Sequence, residues 1–457
     1  MPPRMTRREA LRMAASAAVS LPYLASTAAA EQGRRPNIVF ILADDLGYGD
    51  LGCYGQERVR TPNLDRMAAE GVRFTNCYAG STVCAPSRCT LMTGLHTGHC
   101  EVRGNALVPL RPGDVTVAEV LKEAGYVTGI VGKWGLGEPD TTGVPNRQGF
   151  DEWLGYLNQG HAHNYYPDHL WKNETRYPLP ENANGKKGRY SHDLFTTEAL
   201  RFVRRHQDEP FFLYLAYTLP HANNELGAKT GNGMEVPSDA PYSNEPWPQP
   251  QKNHAAMITR LDRDIGRVME RLRELGLDEN TIVFFSSDNG PHKEGGADPA
   301  FFRSGGPLRG LKRDLYDGGI RVPGIVRWPG RIAPRTASDS AWAFWDFLPT
   351  AADIAGVTPP CGIDGVSILP TILGREQPAH EFMYWEFHER GFQQAVRTGN
   401  WKAVRLGPNR PLELYNVSTD IGEAQNVAGQ HADVIAKIEA YLKTARTESA
   451  HWPIRER

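Results

Sequence analysis

With 457 residues, of which 40% are hydrophobic and 23% charged, the chain is long enough to bury a large core and too mixed in composition to be disordered or coiled-coil. Its 51 basic and 53 acidic side chains leave a net charge of −2, which gives no sign of a nucleic-acid partner. Past the N-terminus no run of about 18 apolar residues offers a membrane span.

The chain opens with Arg7-Arg8 and an Ala-rich, weakly apolar stretch from Met13 to Ala28-Ala29-Ala30. That is the pattern of a twin-arginine export signal, so residues 1–30 are expected to pass the chain to the twin-arginine export machinery and to leave a periplasmic or secreted protein. Beyond it, short apolar runs alternate with amphipathic segments, as in an α/β fold with a mostly parallel central sheet flanked by helices. Strands are expected at 37–43, 127–132, 211–217, 281–287 and 321–326. Helices are expected at 64–69, 117–123, 196–205 and 255–275, the last with Met257, Ile258, Leu261, Ile265, Val268, Met269 and Leu272 on one face. The stretches 143–187 and 221–252, rich in Pro, Gly, Asn, His and Tyr, read as long functional loops. After about Pro378 the pattern changes to short strands at 382–386, 394–397, 402–406 and 412–415 and a helix at 432–446. The division is therefore a catalytic domain over 31–377 and a small antiparallel α+β subdomain over 378–457.

In a parallel sheet the carboxyl ends of the strands share one edge, where α/β proteins bind ligands. The first expected strand ends in Asp44-Asp45, the second leads to Lys133, the third to Leu219-Pro220-His221 and the fourth to Asp288-Asn289-Gly290. Three carboxylates and an amide oxygen are hard ligands, suited to calcium or magnesium rather than zinc or copper. Asp44-Asp45 alone would serve as well in a helix cap or a solvated turn; the matching pair Asp288-Asn289 at an equivalent strand end favours a metal. In Val83-Cys84-Ala85-Pro86-Ser87-Arg88, Pro86 fits the first turn of a helix and places Cys84 just before its N-terminus, with Arg88 one turn on. Such a cysteine is positioned to attack an anionic ester, or it is buried or disulfide-bonded. Cysteines stand at 53, 77, 84, 89, 100 and 361, and their pairing stays open.

Cys84-Ala85-Pro86-Ser87-Arg88 resembles the Cys-x-Pro-x-Arg signature of the type I sulfatases, members of the alkaline-phosphatase-like superfamily. The resemblance extends through Pro36-Asn37-Ile38-Val39-Phe40, Thr61-Pro62-Asn63-Leu64-Asp65, Gly132-Lys133-Trp134, Ser287-Asp288-Asn289-Gly290, Gly310-Leu311-Lys312 and Glu413-Leu414-Tyr415-Asn416. It implies that a formylglycine-generating maturation enzyme oxidises Cys84 to Cα-formylglycine, whose hydrate attacks sulfur with one hydroxyl and uses the other to collapse the sulfated intermediate. It further implies Ca2+ held by Asp44, Asp45, Asp288, Asn289 and residue 84. Arg88 would hold residue 84, Lys133 and Lys312 would neutralise sulfate oxygens, and His221 would be the general acid. The substrate implied is a sulfated carbohydrate; the His-Ala-His-Asn-Tyr-Tyr run from His161 to Tyr166 resembles sulfatases labelled galactose- or N-acetylgalactosamine-specific.

One motif departs. Gly132-Lys133-Trp134-Gly135-Leu136-Gly137 has glycine where the family usually carries a histidine, and His161 and His163 are the candidates for a replacement base. A phosphodiesterase or phosphonate hydrolase of the same superfamily and a catalytically silent glycan-binding protein are the competing readings.

Overall fold

A run that is apolar at every position, without alternation, suits a strand covered on both faces. The computed structural model, which describes residues 34–455, turns four such runs into the middle of a large sheet. The expected export signal lies outside the described residues. In chain order the strands are β1 (Asn37–Ala43), β2 (Val72–Phe74), β3 (Cys77–Tyr78), β4 (Val127–Lys133), β5 (Glu152–Tyr156), β6 (His169–Lys172), β7 (Thr175–Pro178), β8 (Phe211–Ala216), β9 (Thr281–Ser287), β10 (Gly324–Arg327), β11 (Thr336–Ser338) and β12 (Trp342–Ala343). Ten of them form one sheet in the order β11-β2-β10-β9-β1-β8-β4-β5-β6-β7. The segment β9-β1-β8-β4-β5 is parallel throughout, and every residue of β1, β8 and β9 is buried.

Alternate residues of β1 serve two cores. Ile38, Phe40 and Leu42 join one layer, beneath α2 (Cys84–Thr93), α3 (Val117–Glu123) and α6 (Phe347–Ala355). Val39, Ile41 and Ala43 join the other, beneath α1 (Pro62–Ala69), α4 (Ser191–Arg205) and α5 (Gln249–Glu274), whose seven expected apolar positions are all buried. Phe40 lies under Phe347, with ring centroids 4.6 Å apart.

Three expectations need correction. The run expected at 321–326 is β10, over Gly324–Arg327, and it lies antiparallel to both β9 and β2. An apolar run specifies burial on two faces but carries no direction. The stretch 143–187 is not one loop: β5 continues the parallel sheet, and β6 and β7 add an antiparallel hairpin at its edge. Their sequences, His-Leu-Trp-Lys and Thr-Arg-Tyr-Pro, are polar because much of β6 and all of β7 except the half-buried Tyr177 is left uncovered at the edge. Third, Cys84 is the first residue of α2 rather than the one before it; Val83 is the cap, with φ −147° and ψ 162°.

The C-terminal strands β13 (Met383–Phe387), β14 (Gln393–Thr398), β15 (Trp401–Arg405) and β16 (Glu413–Asn416) form an antiparallel meander followed by α7 (Ala432–Leu442), shorter than the expected helix. Met383, Trp385 and Phe387 share a core with Tyr78, Val83, Leu315 and Trp345, so this sheet packs directly beside the start of α2. Among the described residues no helix is long and apolar enough to cross a membrane.

Candidate active site

Register brings the acidic residues together. Ala43 of β1 pairs with Ser287 of β9, so the two chains leave the sheet side by side as Asp44-Asp45 and Asp288-Asn289. The crossing is fixed by main-chain bonds: Asp44 N–H donates to Leu219 O at 3.0 Å and Asp288 N–H to Ala43 O at 3.1 Å. Asp45 turns at φ 66°, a left-handed conformation that Asp tolerates better than most residues, and its N–H donates to Asp288 Oδ1 at 3.1 Å. From the other side α2 delivers Cys84 and Arg88; all ten of its residues are buried. Ala85 N–H in its first turn donates to Asn105 Oδ1 at 3.0 Å.

The charges interlock. Arg88 donates to Asp288 Oδ2 through Nε at 3.1 Å and Nη2 at 2.8 Å, reaches Asp44 Oδ2 at 3.5 Å, and donates to Lys133 O at 2.5 Å. Lys133 Nζ lies 2.7 Å from Asp44 Oδ2, and Lys312 Nζ lies 2.8 Å from Asp45 Oδ2. Burial opposes ionisation of Asp44 and Asp45, yet Lys133 beside the first and Lys312 beside the second hold both carboxyls well below the usual range. Asp288 goes the other way: burial and the Asp44 charge push it up to about 7 in spite of Arg88. Three carboxylates thus face three cations, and burial makes Asp288 the one that gives up its charge most readily.

The Cys84 thiol donates to Asp44 Oδ1 at 3.3 Å, and burial together with Asp288 and Asp44 pushes its pKa well above that of an ordinary thiol. As cysteine it stays protonated, a poor nucleophile. All six cysteines are free thiols, so the pairing left open by the sequence resolves to none.

The residues fit a hard cation. Asp44, Asp45, Cys84 and His221 bring ligand atoms within 4.8 Å of one another, and Asn289 Oδ1 is buried with no partner while its Nδ2 donates to Asp45 Oδ1 at 2.7 Å. An amide oxygen left bare among carboxylates is the donor a calcium ion takes.

His221 is oriented by Nδ1, which donates to Ala222 O at 2.7 Å and leaves Nε2 facing Lys312 Nζ at 3.2 Å. Burial, the neighbouring Lys312 and Lys133 outweigh Asp45 and Asp44 and lower its pKa to about 3, so Nε2 accepts a hydrogen bond from the ammonium. The ring stacks with His163, 4.9 Å away at 14°, and with His292, 6.0 Å away at 24°. His163 Nδ1 lies 3.1 Å from Glu225 Oε1. His161 instead stacks on His169 at 4.5 Å, and burial lowers its pKa to about 4. Of the two histidines proposed for the missing base, only His163 touches the His221 ring. Gly135 is faced by Gln159.

Sequence reasoning missed His292, Glu294, Asn105 and Gln159. His292 stands two residues beyond Gly290 at an already chosen strand end, so the strand-end argument could have found it. Glu294, 3.4 Å from Lys312 Nζ and paired with Arg313, left no local signal.

The sulfatase family model matches residues 36–357, and that of the N-sulphoglucosamine sulphohydrolase C-terminal region matches residues 311–448. Arylsulfatase A of Homo sapiens is 34% identical, covering 92% of this chain and 89% of that protein. The N-acetylgalactosamine-6-O-sulfatase of Bacteroides thetaiotaomicron is 31% identical, covering 91% of this chain and 94% of that protein. Among solved structures, the complex of Ps i-CgsB with k-i-k-neocarrahexaose superposes with a TM-score of 0.80 at 27% identity, covering 92% of this chain and 95% of that one.

Proposed function

Since the chain belongs to the sulfatase family and is a sulfuric ester hydrolase of sulfated glycans, we propose that it works through Cα-formylglycine made from Cys84 and a Ca2+ ion held by Asp44, Asp45, Asp288 and Asn289. The reading rests most on one observation: a cysteine unable to ionise sits at a helix start among three carboxylates, two lysines and a buried arginine. Such a position is useless to a thiol and suited to an aldehyde hydrate. The hydrate supplies a nucleophilic hydroxyl, and the cation, when bound, supplies Lewis acidity toward it and toward a sulfate oxygen.

The chain's own residues do the rest. Arg88 locks Asp288 to α2, fixing residue 84 against the acidic pair. Lys133 and Lys312 meet the anionic group with fixed positive charge in a site that excludes water, where such charges act more strongly than in bulk. His221 faces inward through Nε2, takes up a proton there as the anionic sulfate enters beside it, and passes that proton to the leaving alcohol while Lys312, 3.2 Å away, keeps its charge. Cys84 is 2% exposed, so the maturation enzyme meets it before the chain closes. Maturation then precedes export by the twin-arginine machinery, which carries folded proteins to the periplasm or beyond.

The substrate is a sulfated galactose or N-acetylgalactosamine unit. Support comes from the N-acetylgalactosamine-6-sulfatases among the relatives and from the crystal complex of Ps i-CgsB with a neocarrahexaose. A cavity of about 230 Å³ lined by Asn105, His388, Glu389, Phe392 and Trp452 offers polar groups and ring faces for the sugar. The test is a panel of sulfated monosaccharides with calcium, alongside mass analysis of the Cys84 peptide. Turnover of the galacto-configured sulfates and loss of the thiol at residue 84 are expected; undiminished turnover by Cys84→Ala refutes the reading.

A further inference from the structure

Lys133 and Tyr156 pair at the ends of the parallel strands β4 and β5, and two residues on Gly135 N–H donates to Leu157 O at 2.8 Å. The two chains therefore leave the sheet together, on the edge where Lys133 meets Asp44. Gly135 takes φ +86°, and a Cβ built on it would fall 2.3 Å from Nε2 of Gln159. The Gln159 amide thus fills the space where a side chain on residue 135 would begin. Both its Nε2 and its Oε1 are buried, and neither has a hydrogen-bond partner among the described residues.

A buried amide bare at both atoms is costly unless something else completes it. The local fold does not need it: Asn158 supplies the turn, accepting from His161 N–H at 2.9 Å through Oδ1 and donating to Glu138 Oε2 at 3.0 Å through Nδ2. The segment that begins at Gln159, over Gly135 and two residues past Lys133, ends at His163 on the ring of His221. It spans the site from the Lys133 side to the His221 side.

We propose that Gln159 binds the sulfate group of the substrate, its amide N–H donating to a sulfate oxygen beside Lys133, in the space that residue 135 leaves free. The inference rests on the active-site reading above. An amide can donate to an anion but cannot take its proton, so Gln159 contributes binding and orientation and no acid-base chemistry. Gly135 is then the complement of Gln159, since any side chain there displaces the amide.

The probe is inorganic sulfate, titrated calorimetrically into the matured, calcium-loaded protein, with turnover of a sulfate ester measured in parallel. A hydrogen bond to a charged group predicts that Gln159→Ala binds sulfate about 10- to 100-fold more weakly. Gln159→Glu, nearly isosteric, binds it more weakly still because like charges meet, and neither variant loses calcium. Gly135→Ala, which pushes the amide aside, gives a similar loss, and the double variant Gly135→Ala/Gln159→Ala adds little to it. The pH profile of kcat/KM for Gln159→Ala keeps both limbs of the wild type, because an amide does not titrate. Wild-type sulfate affinity in Gln159→Ala and Gln159→Glu, in a protein whose wild type turns over sulfate esters, overturns the Gln159 assignment alone. Absence of both turnover and sulfate binding in the wild type overturns it together with the active-site reading.

Discussion

Replacing Arg88 with Met keeps the apolar stem and removes a fully buried guanidinium that holds Asp288 at 2.8 and 3.1 Å, Lys133 O at 2.5 Å and Asp44 at 3.5 Å. Removing one partner of a buried ion pair costs about 3–5 kcal/mol, because the other charge stays buried without compensation. Asp288 has an escape from the upper end of that range. Its carboxyl already stands at about 7, and with the guanidinium gone it takes up a proton instead of remaining charged. The expected deficit is therefore about 3 kcal/mol near neutral pH. Above the wild-type pKa the folded variant holds a proton that the folded wild type and both unfolded chains have released. Stability of Arg88→Met thus falls relative to wild type as pH rises, and the deficit narrows below about 7. Unfolding midpoints of the two proteins in chelator, at about pH 6 and about pH 8, measure it. Equal stability, or a deficit that does not change with pH, refutes the coupling of Arg88 to Asp288.

Calcium binding must displace the Asp288 proton, so apparent affinity is expected to fall about tenfold per pH unit below about 7, as calorimetry across that range reads. A flat profile removes Asp288 from the ligand set. His221→Ala should slow a sugar sulfate about 100-fold more than an aryl sulfate, whose phenolate leaves without a proton. Equal loss on both substrates ends the proton-donor role. His163→Ala, which removes the ring stacked on His221, should bias the same ratio in the same direction by less; an unchanged ratio makes His163 a packing partner only.

The sequence by itself determined the elements with the most uniform apolar content. β1 and β9 have the bounds the pattern predicts, because an apolar run has one stable place, between two covered faces; α3 has them too, its start fixed by the capping box of Thr116 and Glu119. It also determined the group at the strand ends, since parallel strands have a common carboxyl edge, where Lys133 ends a strand and Asp44, His221 and Asp288 each follow one. Only the tertiary structure decided the direction of β10, the hairpin β6–β7 and the residues that complete the site. Strand direction depends on the connection rather than on the strand, and an edge hairpin is polar because half of it faces water. Gln159 was invisible for a related reason. It lies 24 residues from the glycine it faces, and only the parallel pairing of β4 with β5 brings the two over the same strand end.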